Sequence, residues 1–107
     1  MEYPEHEKIA HELLKLIHDQ GGSAKPKDCY EPLADYFKLS QVDRTGPRKD
    51  GRAGKQWHNL VQWARQRLIN NEFLDGRQPG LWVITESGKK EFNRLRDYLR
   101  ENLGVKS

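Results

Sequence analysis

Three amide side chains, Asn59, Gln62 and Gln66, recur three or four residues apart, and Lys55, His58 and Arg65 stand among them. At helical spacing Lys55, Asn59, Gln62 and Gln66 share one face, flanked by His58 and Arg65. No carboxylate interrupts that face, which is unusual for a solvated helix surface. Amides pair with base edges, bidentately with adenine, and cations pair with phosphates. The chemistry on offer is recognition of a polyanion. Asn59, Gln62 and Gln66 are expected to meet base edges, adenine foremost. Lys55, His58 and Arg65 are expected to meet phosphates or the flanks of the same groove.

Residues that could make or break bonds are poorly placed for it. A Mg²⁺ nuclease of the usual restriction type needs clustered carboxylates and a lysine with an acidic residue two positions before it. No lysine of this chain has one. His6 and His11 superficially resemble a zinc-protease pair, but one residue too many separates them, which sets them about 140° apart on a helix. A lone cysteine, Cys29, excludes a cysteine-rich zinc site and an intramolecular disulfide. No base or oxyanion donor can be placed beside it from the sequence, so a packed or partly exposed thiol is expected. The run Gly51-Arg52-Ala53-Gly54-Lys55-Gln56 lacks the glycine spacing of a phosphate-binding loop, and Gln56 stands where Ser or Thr would hold Mg²⁺. The expectation is no enzyme, no catalytic residue, no metal and no cofactor.

The elements that must position the polar face can be read from apolar period. Ile9, Leu13, Leu16 and Ile17 predict a helix over 5–20, with Pro4 at its start and Gly21-Gly22 at its end. Residues 23–25 leave room for a stub of strand. Pro26 opens a second helix, about 26–38, with Tyr30, Leu33, Ala34 and Phe37 inward. Pro32 within it predicts a bend or a later start. Residues 40–54 lose the period and read as a basic loop punctuated by glycine. Arg44, Arg48, Lys49, Arg52 and the adjoining Lys55 face only Asp50, a local charge of +4. A third helix, about 55–71, buries Trp57, Leu60, Val61, Ala64 and Leu68. A hairpin over about 73–84 turns between Asp75 and Gly80, with Arg77 and Gln78 at its tip. Thr85 caps a last helix, about 86–103, striped by Phe92, Leu95, Leu99 and Leu103 and ended by Gly104.

That order predicts a mainly α domain with a small β-hairpin, a winged helix-turn-helix spanning 1–107. The third helix would enter the major groove. Arg44, Arg48, Lys49 and Arg52 would reach phosphates across it, and Arg77 with Gln78 would form the wing contact. Trp57 and Trp82 read as core. Trp63, at the edge of the stripe, reads first as packing in the core under the wing. The alternative is that it lines a pocket for a flipped or methylated base.

Length and charge agree with such a module. At 107 residues, 33% charged and 35% hydrophobic, the chain can bury one modest core but not a deep cleft as well. Residues 1–43 carry five Lys/Arg against nine Asp/Glu, and residues 44–107 carry fourteen against seven. The net charge of +3 is therefore concentrated in one half, which suggests a polyanionic partner. No apolar run is long enough for a membrane span and no signal peptide is visible, so a cytoplasmic location and no membrane partner are expected.

The run Trp57-His58-Asn59-Leu60-Val61-Gln62-Trp63-Ala64-Arg65, with the later Gly80-Leu81-Trp82-Val83-Ile84-Thr85-Glu86-Ser87-Gly88, resembles the N-terminal domain of Mrr-type restriction proteins. The resemblance spans roughly residues 8–92. It implies a winged-helix domain that binds double-stranded DNA, possessed in many members by a chain that also carries a nuclease domain cutting foreign or modified DNA. No nuclease domain is present in this sequence, so a nuclease domain or subunit is an expected partner. Two alternatives to a DNA reader follow from the residues: a protein-interaction module, or a homodimer joined along Phe92, Leu95, Leu99 and Leu103. For that stripe, packing on its own domain is the favoured reading.

Overall fold

The computed structural model describes residues 3–102. Helix α1 spans His6–Asp19, strand β1 Ser23–Ala24, α2 Lys27–Tyr36, α3 Gln41–Thr45, α4 Gln56–Asn70, β2 Leu74–Asp75, β3 Trp82–Ile84 and α5 Glu86–Asn102. Leu103 and Gly104, the expected end of the last helix, lie outside the described residues.

Apolar stripes dictate the layering. Helix α1 buries Ile9, Ala10, Leu13, Leu14 and Ile17, and α4 buries Trp57, Leu60, Val61, Ala64 and Leu68. These two stripes face each other, and Cys29, Leu33 and Ala34 of α2 close the same core. Trp57 is fully buried, and its indole Nε1 donates to the Tyr30 carbonyl at 2.8 Å. That bond ties the start of α4 to the middle of α2. Cys29 is also fully buried, and burial pushes its thiol up to about 12, so it is a packed, inert group.

The three strands form one antiparallel sheet in the order β1-β3-β2, with Ala24 opposite Trp82 and Leu74 opposite Ile84. The expected hairpin, β2 and β3, thus gains the stub after α1 as a third strand. Thr85 caps α5 as expected, its hydroxyl accepting from Gly88 N–H at 2.9 Å and donating to the Glu72 carbonyl at 2.6 Å.

Two expectations about the middle of the chain are corrected. Helix α2 does not start late at Pro32 but runs through it from Lys27, close to the expected 26–38. Proline removes the N–H that would bond to Asp28, and both residues are exposed, so water can satisfy the freed carbonyl. Residues 40–54 are not all loop. Ser40 accepts from Asp43 N–H at 3.2 Å and donates to its carboxylate at 3.0 Å, nucleating the five-residue α3.

Candidate nucleic-acid interface

Helix α4 begins where a closed loop hands over to it. Pro47 and Lys55 form an isolated antiparallel bridge, Arg48 N–H bonds to the Gly54 carbonyl at 3.2 Å, and Gln56 N–H bonds to the Gly46 carbonyl at 3.0 Å. The Gln56 side chain accepts from Lys49 N–H at 3.0 Å. Gly51 and Gly54 take φ of 79° and 108°, a region that side chains disfavour. The Arg48 guanidinium forks onto Asp50, whose carboxylate also accepts from Arg52 N–H at 3.0 Å. These bonds hold the Asp50 carboxyl below its usual range. Arg48 is thereby the residue that shapes the loop, and Lys49, Arg52 and Lys55 project from it, exposed.

No side chain caps the start of α4, and no acid sits in its first turn. Its unpaired backbone N–H groups and positive dipole end therefore lie beside Lys55, an arrangement that favours an anion. Among the described residues Lys49, Arg52 and Lys55 form no ion pair; Lys49 rests its ammonium 5.6 Å from the Tyr3 ring centre.

Arg44 differs. Its Nη1 meets Asp35 at 2.6 Å and Glu31 at 3.3 Å, while Nε donates to the Leu39 carbonyl at 2.9 Å. These partners hold its charge in place between α2 and α3.

Outward from the core, α4 presents Lys55, Asn59, Gln62 and Gln66. Asn59 has no side-chain partner among the described residues. Gln62 donates to the Tyr30 hydroxyl at 2.6 Å. His58 stacks on the Tyr30 ring, centres 3.8 Å apart and planes 9° from parallel. Burial and then the nearby Lys55 push the His58 imidazole below its usual range, with Glu31 opposing. The shift favours the neutral ring, which can hydrogen-bond but adds little to the cationic field. Tyr30, assigned to the core from its spacing, is instead half-buried and supports two residues of this face. Sequence spacing offered no sign of this, because a helix carries such a residue at the boundary between its faces.

On the flank toward the wing, Arg65 lies over the Trp82 ring, 5.7 Å from its centre. Its Nε is buried with no hydrogen-bond partner. The wing residue Gly76 crosses so close that an added Cβ would sit 2.9 Å from the Arg65 guanidinium. At the tip, Arg77 forks onto Asp75 with bonds of 2.8 to 3.2 Å and still leaves 91% of its side chain open. This pairing lowers the Asp75 carboxyl to about 2. Gln78 is exposed beside it.

Trp63 is a correction. It is not packed in the core but 57% exposed, because it lies on the flank of α4 away from the buried stripe. The recess beside it has a volume of about 320 Å³ and is lined by His6, Gln66, Arg67, Asn70 and Asn71. His6 thus belongs to this recess, and the described residues contain no cluster of three or more His, Cys, Asp or Glu able to hold a metal.

The family model of the Mrr N-terminal domain matches residues 6–94. Among solved structures, the chain is similar to F93 from STIV, described as a winged-helix DNA-binding protein, with 19% identity, 92% of each chain covered and a TM-score of 0.57. At that identity the likeness shows a shared fold. No curated protein matches the chain. No described helix is long and apolar enough to cross a membrane.

Proposed function

The chain belongs to the Mrr N-terminal domain family, and from that premise we propose that it is a non-catalytic module that binds double-stranded DNA through α4. The observation that carries this reading is the carboxylate-free outer face of α4, entered beside three cations, Lys49, Arg52 and Lys55, that form no ion pair among the described residues. Asn59, Gln62 and Gln66 face base edges in the major groove. Arg65, Arg77 and Gln78 reach the backbone on the wing side. Arg44 and Arg48 act indirectly, by holding α3 and the loop in place.

In its finer form the reading is a targeting domain of a restriction system in the cytoplasm. It prefers a duplex with a methylated base and works with a nuclease domain or subunit. The family membership supports that context.

Titration of a short duplex across a salt series tests the proposal. The logarithm of affinity is expected to fall linearly with the logarithm of salt concentration, by about 0.9 per neutralised phosphate. Arg52→Gln and Lys55→Gln should each reduce that slope by about one phosphate, whereas Arg44→Gln should leave it unchanged. Absence of binding at low salt would sink the proposal. The same series on duplexes with methylated adenine or cytosine tests the finer reading.

A second reading has its own support. A largely apolar groove of about 500 Å³ runs between α1 and α5, lined by Leu14, Phe92, Leu95 and Leu99 among others. Leu99 is 49% exposed, so the α5 stripe is only partly covered by its own domain. Glu12 and Lys15 of α1 and Arg96 and Arg100 of α5 rim the groove. The occupant this suits is a second copy of the chain, with α5 of each laid against α1 of the other.

A further inference from the structure

Two of the three tryptophans are buried, and only Trp63 opens its indole to solvent. An exposed indole on a helix that faces a ligand calls for a reason, since large aromatics ordinarily serve the core. The recess against it is, at about 320 Å³, at the small end of ligand pockets, the size that suits a single heterocycle. Gln66 donates from Nε2 to Asn70 Oδ1 at 2.9 Å. That bond leaves Gln66 Oε1 as an acceptor and the Asn70 amide nitrogen as a donor, neither with a partner among the described residues. A base displaced from the duplex offers the complementary pair on its free Watson–Crick edge, a donor beside an acceptor, as adenine does with N6 and N1 and thymine with N3 and O4. No carboxylate lines the recess, and Arg67 in its wall forms no ion pair among the described residues, so a neighbouring phosphate meets no repulsion.

We propose that Trp63, Gln66 and Asn70 form a pocket for one base displaced from the duplex, with the base stacked on the Trp63 indole and its edge on the two amides. Displacement is required because an indole can stack only on a base whose own face is free. The inference rests on the reading of the chain as a DNA-binding module.

Three probes test it on the full chain at one salt concentration: a paired short duplex, the same duplex with one bulged adenine, and the same with one bulged thymine. The bulged adenine should bind about tenfold tighter than the paired duplex, the gain expected of one base stacked on an aromatic ring. Trp63→Ala should abolish that gain and leave paired-duplex affinity unchanged. Because Trp57 and Trp82 are buried, acrylamide quenching of tryptophan emission reports Trp63, and it should fall when the bulged adenine binds. Gln66→Leu should reduce the gain of both bulges, because the base edge then meets one amide and not two. If the paired duplex binds while the bulged adenine binds no tighter and quenching is unchanged, the pocket is overturned and the DNA-binding reading stands. The bulged thymine should gain as well, since it offers the same donor and acceptor, and the absence of any gain for it would overturn the role given to the two amides. Failure of all three probes to bind would overturn both readings.

Discussion

His58 shares the outer surface of α4 with residues that can bond a nucleic acid, yet its ring is committed to Tyr30. Burial lowers its pKa below the usual 6.5. The unfolded chain therefore binds the proton more readily than the native one, and stability rises with pH across this window. The contribution is present above about pH 6.5 and is lost as pH falls through the lowered native value. Melting midpoints measured on acidification through this range should fall, and His58→Gln should flatten the fall. An unchanged profile in the variant would remove His58 from the explanation. Lysines and arginines on the same surface differ by their neighbours. Arg44 has Asp35 and Glu31 within bonding distance, whereas Arg52 and Lys55 have no ion-pair partner among the described residues. Equal formal charge thus gives unequal capacity for a phosphate.

Between elements, the junction of β3 and α5 sets how the wing meets the helices. Thr85 N–H bonds to the Phe73 carbonyl at 3.0 Å, and Gly88 packs directly over that same carbonyl. A Cβ at residue 88 would collide with the Phe73 oxygen and stand 2.8 Å from Ile84 Cγ1. The obstruction is backbone, which cannot swing aside. Gly88→Ala should therefore destabilise the domain by about 1–3 kcal/mol, despite alanine's better helix propensity. Urea unfolding measures this directly, and a variant as stable as the original chain would show that the junction yields. The same close approach explains why a glycine follows Trp82 and Thr85 in the second motif of this sequence.

Across the whole molecule, the side proposed to meet DNA and the α1–α5 groove are built from different residues. The first gathers α4, the loop before it and the wing; the second gathers Leu14, Phe92, Leu95 and Leu99. Binding of DNA and self-association should therefore be separable. Leu99→Lys places a charge in the groove and touches neither α4 nor the wing. Sedimentation velocity should show a dimer for the original chain and a monomer for this variant, with binding to a short half-site duplex unchanged. A monomer in both cases would remove the second copy as the occupant of the groove. If α4 reads DNA as proposed, two linked copies would present two such helices and favour a symmetric site.

The sequence by itself determined the order of the helices, the hairpin, the burial of Trp57 and Trp82, and an α4 surface free of carboxylates. Each follows from local period or from residue type, which a helix or strand converts directly into a face. In it α3 reads as part of a loop, because five residues are too few to show a period; the bonds between Ser40 and Asp43 that start it are visible only in the structure. Tertiary structure alone decided that Tyr30 supports His58 and Gln62, that Trp63 stays open, and that Arg44 is neutralised while Lys49, Arg52 and Lys55 have no ion pair among the described residues. Those outcomes depend on groups that are distant in the chain: Tyr30 and Gln62 are 32 residues apart, and Arg44 and Glu31 are 13 apart. Hydrogen bonds and ion pairs act over a few ångströms of space, and only packing brings such groups within reach of one another.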